Sequence, residues 1–257
     1  MDDEALAAGA ARIRQQLSGE RRRILFITGA GLSAESGLPT YRGVSGLYAN
    51  ADTEHGIPIE VALSGTVLRK RPEITWKHIA QLEQAVRGAK PNRAHQIIAE
   101  LERSHEVVVL TQNVDGFHRA AGSTQVIDIH GDCHFLLCTG CDYREQRADY
   151  AGLSLPPKCP ECGALVRPDV VLFEEALPAD KLRALRRELA RGFDAYFSIG
   201  TTSVFAYIAE PMVHAARHGR LTVEVNPEET EVSTVVDVRF ACGAVRALDA
   251  VFGPKSC

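Results

Sequence analysis

Apolar residues recur along this chain with two alternating periods. Leu6, Ala10, Ile13 and Leu17 share one face at helical spacing across residues 3–17. Ile24-Leu25-Phe26-Ile27-Thr28 is instead a continuous apolar run closed by glycine, the pattern of a buried strand. Helical stripes return over 73–86, with Ile79, Leu82 and Val86 aligned, and after Pro91-Asn92, with Ala94, Ile97, Ile98 and Leu101 turned inward. Strands and helices then alternate. Strands are predicted at 107–110, 126–129, 195–199, 221–225 and 235–239, and helices to about 121 and over 179–191, 204–218 and 245–251. This order predicts an α/β fold whose parallel sheet is covered on both faces.

Two stretches break the alternation. From Val44 to about Pro72 the periodicity is lost, which predicts a long irregular segment, either a surface loop or a mobile lid. Residues 133–163 form a cysteine-rich insertion. There is no internal repeat.

Bulk composition narrows the picture without deciding it. A 257-residue chain with 45% hydrophobic and 24% charged residues suits one large domain, or one domain with an insertion. A net charge of −4 argues against nonspecific binding to nucleic acid or an anionic membrane. No apolar run approaches the roughly 18 to 20 residues of a membrane span. The acidic, amphipathic start is unlike a signal peptide, so a cytoplasmic protein is expected. Seven cysteines there are expected to be thiols or metal ligands rather than disulfides.

Candidate chemistry begins at residues 29–43, GAGLSAESGLPTYRG, directly after the first strand. Gly29 and Gly31 let backbone N–H groups approach a ligand, and a following helix N-terminus favours phosphate. The spacing is not the G-x-G-x-x-G of ordinary dinucleotide sites, and a tight turn that binds nothing has the same pattern. Arg42, just past Pro39, is a permanently charged fork suited to phosphate or carboxylate.

Cys138-x-x-Cys141 and Cys159-x-x-Cys162 are separated by 17 residues, the two-knuckle spacing of a structural zinc site. Four protein thiolates leave no open position for substrate, so such a metal folds a module too small for its own core. Cys133, Cys242 and Cys257 lie outside the pattern.

In an open parallel sheet, ligands collect at the carboxyl ends of the strands. Four such ends here are polar: 29–33, 111–115 (TQNVD), His130 and 200–203 (GTTS), while Asn226 follows a fifth. Gln112, Asn113 and Asp115 singly suit a turn or helix cap, and His130 singly suits a buried core. Gathered at strand ends, they suit general-base work by a histidine near neutral pKa.

These motifs, with HRAAG at 118–122, Ile129-His130-Gly131 and RPDVVLFEEAL at 167–177, resemble the sirtuins over nearly the whole chain. The resemblance is to the bacterial type of these NAD-dependent protein-lysine deacylases, near the desuccinylase-like branch. It implies a Rossmann-like parallel sheet domain (1–43, 93–132 and 168–257) and a small zinc-ribbon plus helical domain (44–92 and 133–167). NAD would lie along the strand ends. Gly29, Ala30, Gly31, Ser33, Tyr41 and Arg42 would hold the phosphates and nicotinamide half, and Asn113 and Asp115 the nicotinamide end. Gln112 would contact the ribose, while Gly200, Thr201, Thr202, Asn226 and Cys242 would serve the adenosine side. His130 would be the catalytic base, with Asn113 assisting, and acyl-lysine proteins would be the substrates. The products would be nicotinamide, O-acyl-ADP-ribose and free lysine. Zinc would sit on the four paired cysteines.

Three positions depart from the family pattern. Tyr41 stands where many members have Phe. Val171, Phe173 and Glu174 lie on the expected substrate-docking strand, where Glu174 replaces a glycine. Ile79 and Leu82 occupy the places that a Tyr and an Arg take in the desuccinylase branch, which implies acetyl or longer apolar acyl groups rather than succinyl. Mono-ADP-ribosyl transfer, and a silent NAD- or acyl-lysine-binding module, are the alternatives.

Overall fold

The computed structural model describes residues 1–38 and 56–253. Tyr41, Arg42, the first part of the expected lid and Cys257 lie outside the described residues. The elements run α1 (Asp3–Leu17), β1 (Arg23–Thr28), α2 (Ala30–Ala34), α3 (Ile59–Ala62), α4 (Gly65–Lys70), α5 (Pro72–Val86) and α6 (Arg93–Glu100). They continue with β2 (Glu106–Thr111), α7 (Phe117–Ala120), β3 (Val126–Asp128), β4 (Gly131–Cys138), β5 (Arg144–Gln146) and β6 (Val166–Val170). The last are α8 (Ala179–Arg191), β7 (Ala195–Ile199), α9 (Ala206–Arg217), β8 (Leu221–Val225), β9 (Val238–Phe240) and α10 (Ala244–Phe252).

Six strands form one parallel sheet in the order β3-β2-β1-β7-β8-β9. The chain builds outward from β1 in one direction and from β7 in the other, so the strand order reverses between β1 and β7. A ligand crevice is expected at the carboxyl ends of those two strands. Alternation along the strands feeds two cores. Ile24, Phe26, Val107, Val109, Phe197 and Val223 face α1, α6 and α10, while Leu25, Ile27, Val108, Leu110 and Tyr196 face α8 and α9. Both faces are apolar, which is why these strands read as unbroken hydrophobic runs.

A second sheet, antiparallel in the order β5-β4-β6, carries the cysteine insertion. Its core is shared with the segment before α6: Trp76, Leu68 and Ile79 pack with Leu136, Tyr150, Val166 and Leu172. Trp76 Nε1 donates to the Val166 carbonyl at 2.9 Å, so α5 and β6 are joined by a buried hydrogen bond. The small sheet starts at Gly131 and runs to Val170, a little beyond the insertion as bounded by the cysteines.

The expectation of an irregular segment up to Pro72 is corrected by α3 and α4. Each is under two turns long, too short to show a periodic stripe. The signal that was present is Ser64, whose hydroxyl accepts from the Val67 N–H at 3.2 Å and caps α4. The last strand is also shorter than expected and begins at Val238. No helix among the described residues is long and apolar enough to cross a membrane.

Candidate active site

The turns after β1 and β7 touch backbone to backbone. Gly31 N–H donates to the Gly200 carbonyl at 2.8 Å, and Gly29 N–H to the Ile199 carbonyl at 3.1 Å. Gly200 has φ +60, and a Cβ there would lie 2.3 Å from the Leu32 nitrogen; a Cβ on Gly31 would lie 2.7 Å from Gly200 Cα. These glycines are fixed by the close approach of two turns, which also leaves their edge free of side chains. The helix they open, α2, is only Ala30–Ala34, and Asn92 Nδ2 donates to its Leu32 carbonyl at 2.8 Å.

Side chains from the first two strand ends interlock beside that turn. Ser33 Oγ donates to Asp115 Oδ2 at 2.7 Å, while Asn113 Nδ2 reaches Ser33 Oγ and the Gly29 carbonyl, both at 3.1 Å. Asn113 is buried. Burial raises the Asp115 pKa, opposed by the Phe117 N–H and the Ser33 hydroxyl that donate to it. On the other side, Gln112 Nε2 donates to Thr201 Oγ1 at 2.7 Å and Asn226 Nδ2 to the Thr201 carbonyl at 3.1 Å. Thr201 thus ties three strand ends together, whereas Thr202 is exposed. Cys242 is buried just before α10.

His130 lies between β3 and β4. Its Nδ1 is 3.1 Å from the Gln112 carbonyl and its Nε2 is 2.6 Å from Tyr207 Oη. Burial lowers its pKa, and nearby Lys181 pushes the same way against the Gln112 hydrogen bond. A neutral imidazole held in a fixed orientation by the Gln112 carbonyl and Tyr207 is equipped to take a proton.

The family model described as "Sir2 family" matches residues 29–206. The chain belongs to the Sir2 family. It is 52% identical over 231 residues to NAD-dependent protein deacylase 2 of Pseudomonas syringae pv. tomato, spanning 88% of this chain and 93% of that one. The protein of the same name from Pseudomonas aeruginosa is 50% identical over 236 residues, spanning 88% and 89%. Among solved structures, a Sir2 homologue–NAD complex aligns with a TM-score of 0.81 at 35% identity over 98% of this chain and 93% of that one. A Sir2–p53 peptide–NAD+ complex aligns with a TM-score of 0.79 at 27% identity over 93% and 95%.

In this Sir2 chain the four paired cysteines converge as their spacing predicts. All four Sγ atoms lie within 4.8 Å of one another, with Cys138–Cys162 at 3.4 Å and Cys141–Cys159 at 3.6 Å. Ligands about 2.3 Å from a tetrahedral zinc would stand at about this separation, so the donor set and its geometry fit that ion.

In this Sir2 chain the segment 171–174, where substrate docking is expected, is held by backbone bonds to His130, Leu63 and Gly65. Val171 N–H donates to the His130 carbonyl at 2.8 Å, Phe173 N–H to the Leu63 carbonyl at 3.1 Å, and Gly65 N–H to the Phe173 carbonyl at 2.9 Å. Glu174 is exposed with φ +68, the left-handed conformation that a glycine would adopt freely. Ile79 is buried and Leu82 half-buried in the small-domain core, against which Phe173 also packs.

Several residues around the Sir2 cleft were not singled out from the sequence. Tyr207 carries no motif and lies far along the chain from His130. Glu35 Oε2 accepts from the Val245 N–H at 2.9 Å and so serves the start of α10 from a distance. A register irregularity in β4 turns Asp132 and His134 toward each other, Oδ1 to Nδ1 at 2.8 Å, and this pair pushes the His134 pKa up to about 10. His118 Nε2 meets Thr28 Oγ1 at 2.9 Å, and its ring lies 5.0 Å from that of buried His95. The motif TQNVD with HRAAG contained His118, but its burial beneath the glycine turn needed the sheet.

Proposed function

We propose that NAD lies across the reversal between β1 and β7 and that an acyl-lysine side chain enters beside His130. The protein is an NAD-dependent protein-lysine deacylase. The observation that carries this reading is the convergence of Asn113, Ser33, Asp115 and His130 at the carboxyl ends of β1, β2 and β3. When bound, NAD supplies the ribose that accepts the acyl group and the nicotinamide that leaves.

The residues present suit such a ligand. Gly29, Ala30 and Gly31 offer backbone without bulk to its phosphates, with Ser33, Tyr41 and Arg42 assigned to the same half. Asn113 and Asp115 hold the carboxamide end, where the Asp115 carboxylate oxygens act as acceptors. Gln112 takes a ribose hydroxyl, and Gly200, Thr201, Thr202, Asn226 and Cys242 take the adenosine side. His130 accepts a proton from a ribose hydroxyl. The zinc cysteines act structurally, since all four are protein ligands.

Val171, Phe173 and Glu174 dock the substrate peptide along the segment between His130 and Leu63. Ile79 and Leu82 offer no cation to an acyl carboxylate, and burying that charge without a partner is costly. The favoured substrates are therefore acetyl-lysine and longer apolar acyl-lysines, with succinyl-lysine poor. A panel of acyl-lysine peptides, followed by nicotinamide release and free lysine, tests this. His130→Ala is expected to abolish turnover with fold and zinc content intact. Retained turnover would remove His130 from its role, and label from NAD remaining on protein would point to ADP-ribosyl transfer instead.

A further inference from the structure

Both ring nitrogens of His130 are engaged within the protein. The Gln112 carbonyl can only accept, so the 3.1 Å contact assigns the ring proton to Nδ1. Nε2 of the neutral ring then presents a lone pair, and the 2.6 Å contact from Tyr207 Oη is a phenol donating to it. Burial keeps that phenol protonated, its pKa pushed up to about 12. Among the described residues, the charged group bearing on the imidazole is Lys181 from α8, itself paired with Asp128 at 3.1 Å. The nitrogen best placed to act as base is therefore already occupied.

We propose that Tyr207 is a positioning residue that caps Nε2 of His130 and must move aside before a ribose hydroxyl can reach it. This rests on His130 being the base, as argued under Proposed function. The cap is coupled to the surface. Phe205 stacks on Tyr207 with ring centroids 5.6 Å apart and planes at 16°, and stands edge-on to His130 at 6.3 Å. Yet Phe205 is 43% exposed, beside Val204 at 44%. Phe205 therefore connects the ring of Tyr207 to the surface, where a substrate chain can reach it. When the cap opens, the proton taken by Nε2 comes from the substrate hydroxyl. Tyr207 keeps its own throughout, and Nδ1–H stays on Gln112.

Tyr207→Phe removes the hydroxyl and little else. In the free protein, 15N NMR of the histidine side chains is expected to show His130 Nε2 losing a hydrogen-bond donor while Nδ1 remains protonated. In turnover, kcat/KM for an acetyl-lysine peptide is expected to rise about five-fold, through KM, the order of one net hydrogen bond. An unchanged Nε2 resonance overturns the cap, as does a fall in kcat/KM, which would make the hydroxyl a required participant. His130→Ala separates the two readings. Turnover in that variant sinks the base assignment and the cap with it, whereas a dead His130→Ala beside unchanged Tyr207→Phe kinetics sinks the cap alone.

Discussion

Arg167 meets Glu175 through two parallel hydrogen bonds, Nη1 to Oε1 at 2.6 Å and Nη2 to Oε2 at 2.8 Å. The same carboxylate accepts from the Leu172 N–H at 2.9 Å, and a Cβ on Gly65 would fall 2.7 Å from Glu175 Cγ. One side chain thus pins the segment 171–175 to β6 and lies against the start of α4. The Arg167 guanidinium offsets the effect of burial and holds the Glu175 carboxyl below the usual range.

Glu175→Gln should therefore loosen the docking segment without touching the glycine turns. A half-buried bidentate pair of this kind is worth about 2 kcal/mol. The expected result is a KM for acyl-lysine peptide raised by up to about thirty-fold, the equivalent of that loss, while NAD affinity measured by calorimetry stays unchanged. Equal weakening of both ligands would show that the pair supports the whole fold rather than the docking segment.

Trp76 is the single tryptophan of the chain and donates to the Val166 carbonyl inside the core beside the small sheet. Its fluorescence therefore reports on the zinc module. Stripping metal with a strong chelator, or replacing Cys159 by Ser, is expected to shift Trp76 emission to the red as that core opens. Most far-UV helix signal should remain, because α1, α6, α8, α9 and α10 pack on the large sheet. An unshifted emission after complete metal loss would contradict a structural role for the ion.

Glu174 holds φ +68 without being glycine. Glu174→Gly is expected to raise stability by about 1 kcal/mol through relief of backbone strain, read as a higher urea midpoint. The same change should erase a preference for basic residues flanking the acyl-lysine on a peptide array. If neither the midpoint nor the preference moves, the residue is an ordinary surface carboxylate.

His95 and His118 are buried as a pair, and burial lowers their pKa values to about 4 and about 3, with His95 further depressing His118. In the unfolded chain both titrate near 6.5, so below that pH the unfolded state binds more protons and stability falls. The stabilisation is fully present above 6.5 and is lost as pH drops toward the folded values. For His95 alone the difference corresponds to about 3 kcal/mol. Urea midpoints measured from pH 7 to pH 4 should fall steeply, and less steeply in a His95→Gln variant; parallel slopes would exclude this pair as the cause.

Elements whose signals are local and repeated were legible in the order of residues alone. Leu6, Ala10, Ile13 and Leu17 are the buried face of α1, and the long apolar runs are the strands that helices cover on both sides. Cys138, Cys141, Cys159 and Cys162 were legible because a metal knuckle is a short covalent pattern with fixed spacing. The Sir2 motifs marked the strand ends for the same reason, each being a contiguous run. What lies between those runs was set by contacts between distant parts of the chain. The strand order put the reversal between β1 and β7, so Gly31 and Gly200 owe their identity to a contact across 169 positions of the chain. The short helices α3 and α4 are stabilised by packing around Trp76, which no period within a few residues can reveal. Tyr207 follows the same rule. Its hydroxyl matters because α9 sets it 2.6 Å from His130, and a hydrogen bond between distant residues leaves no trace in either neighbourhood.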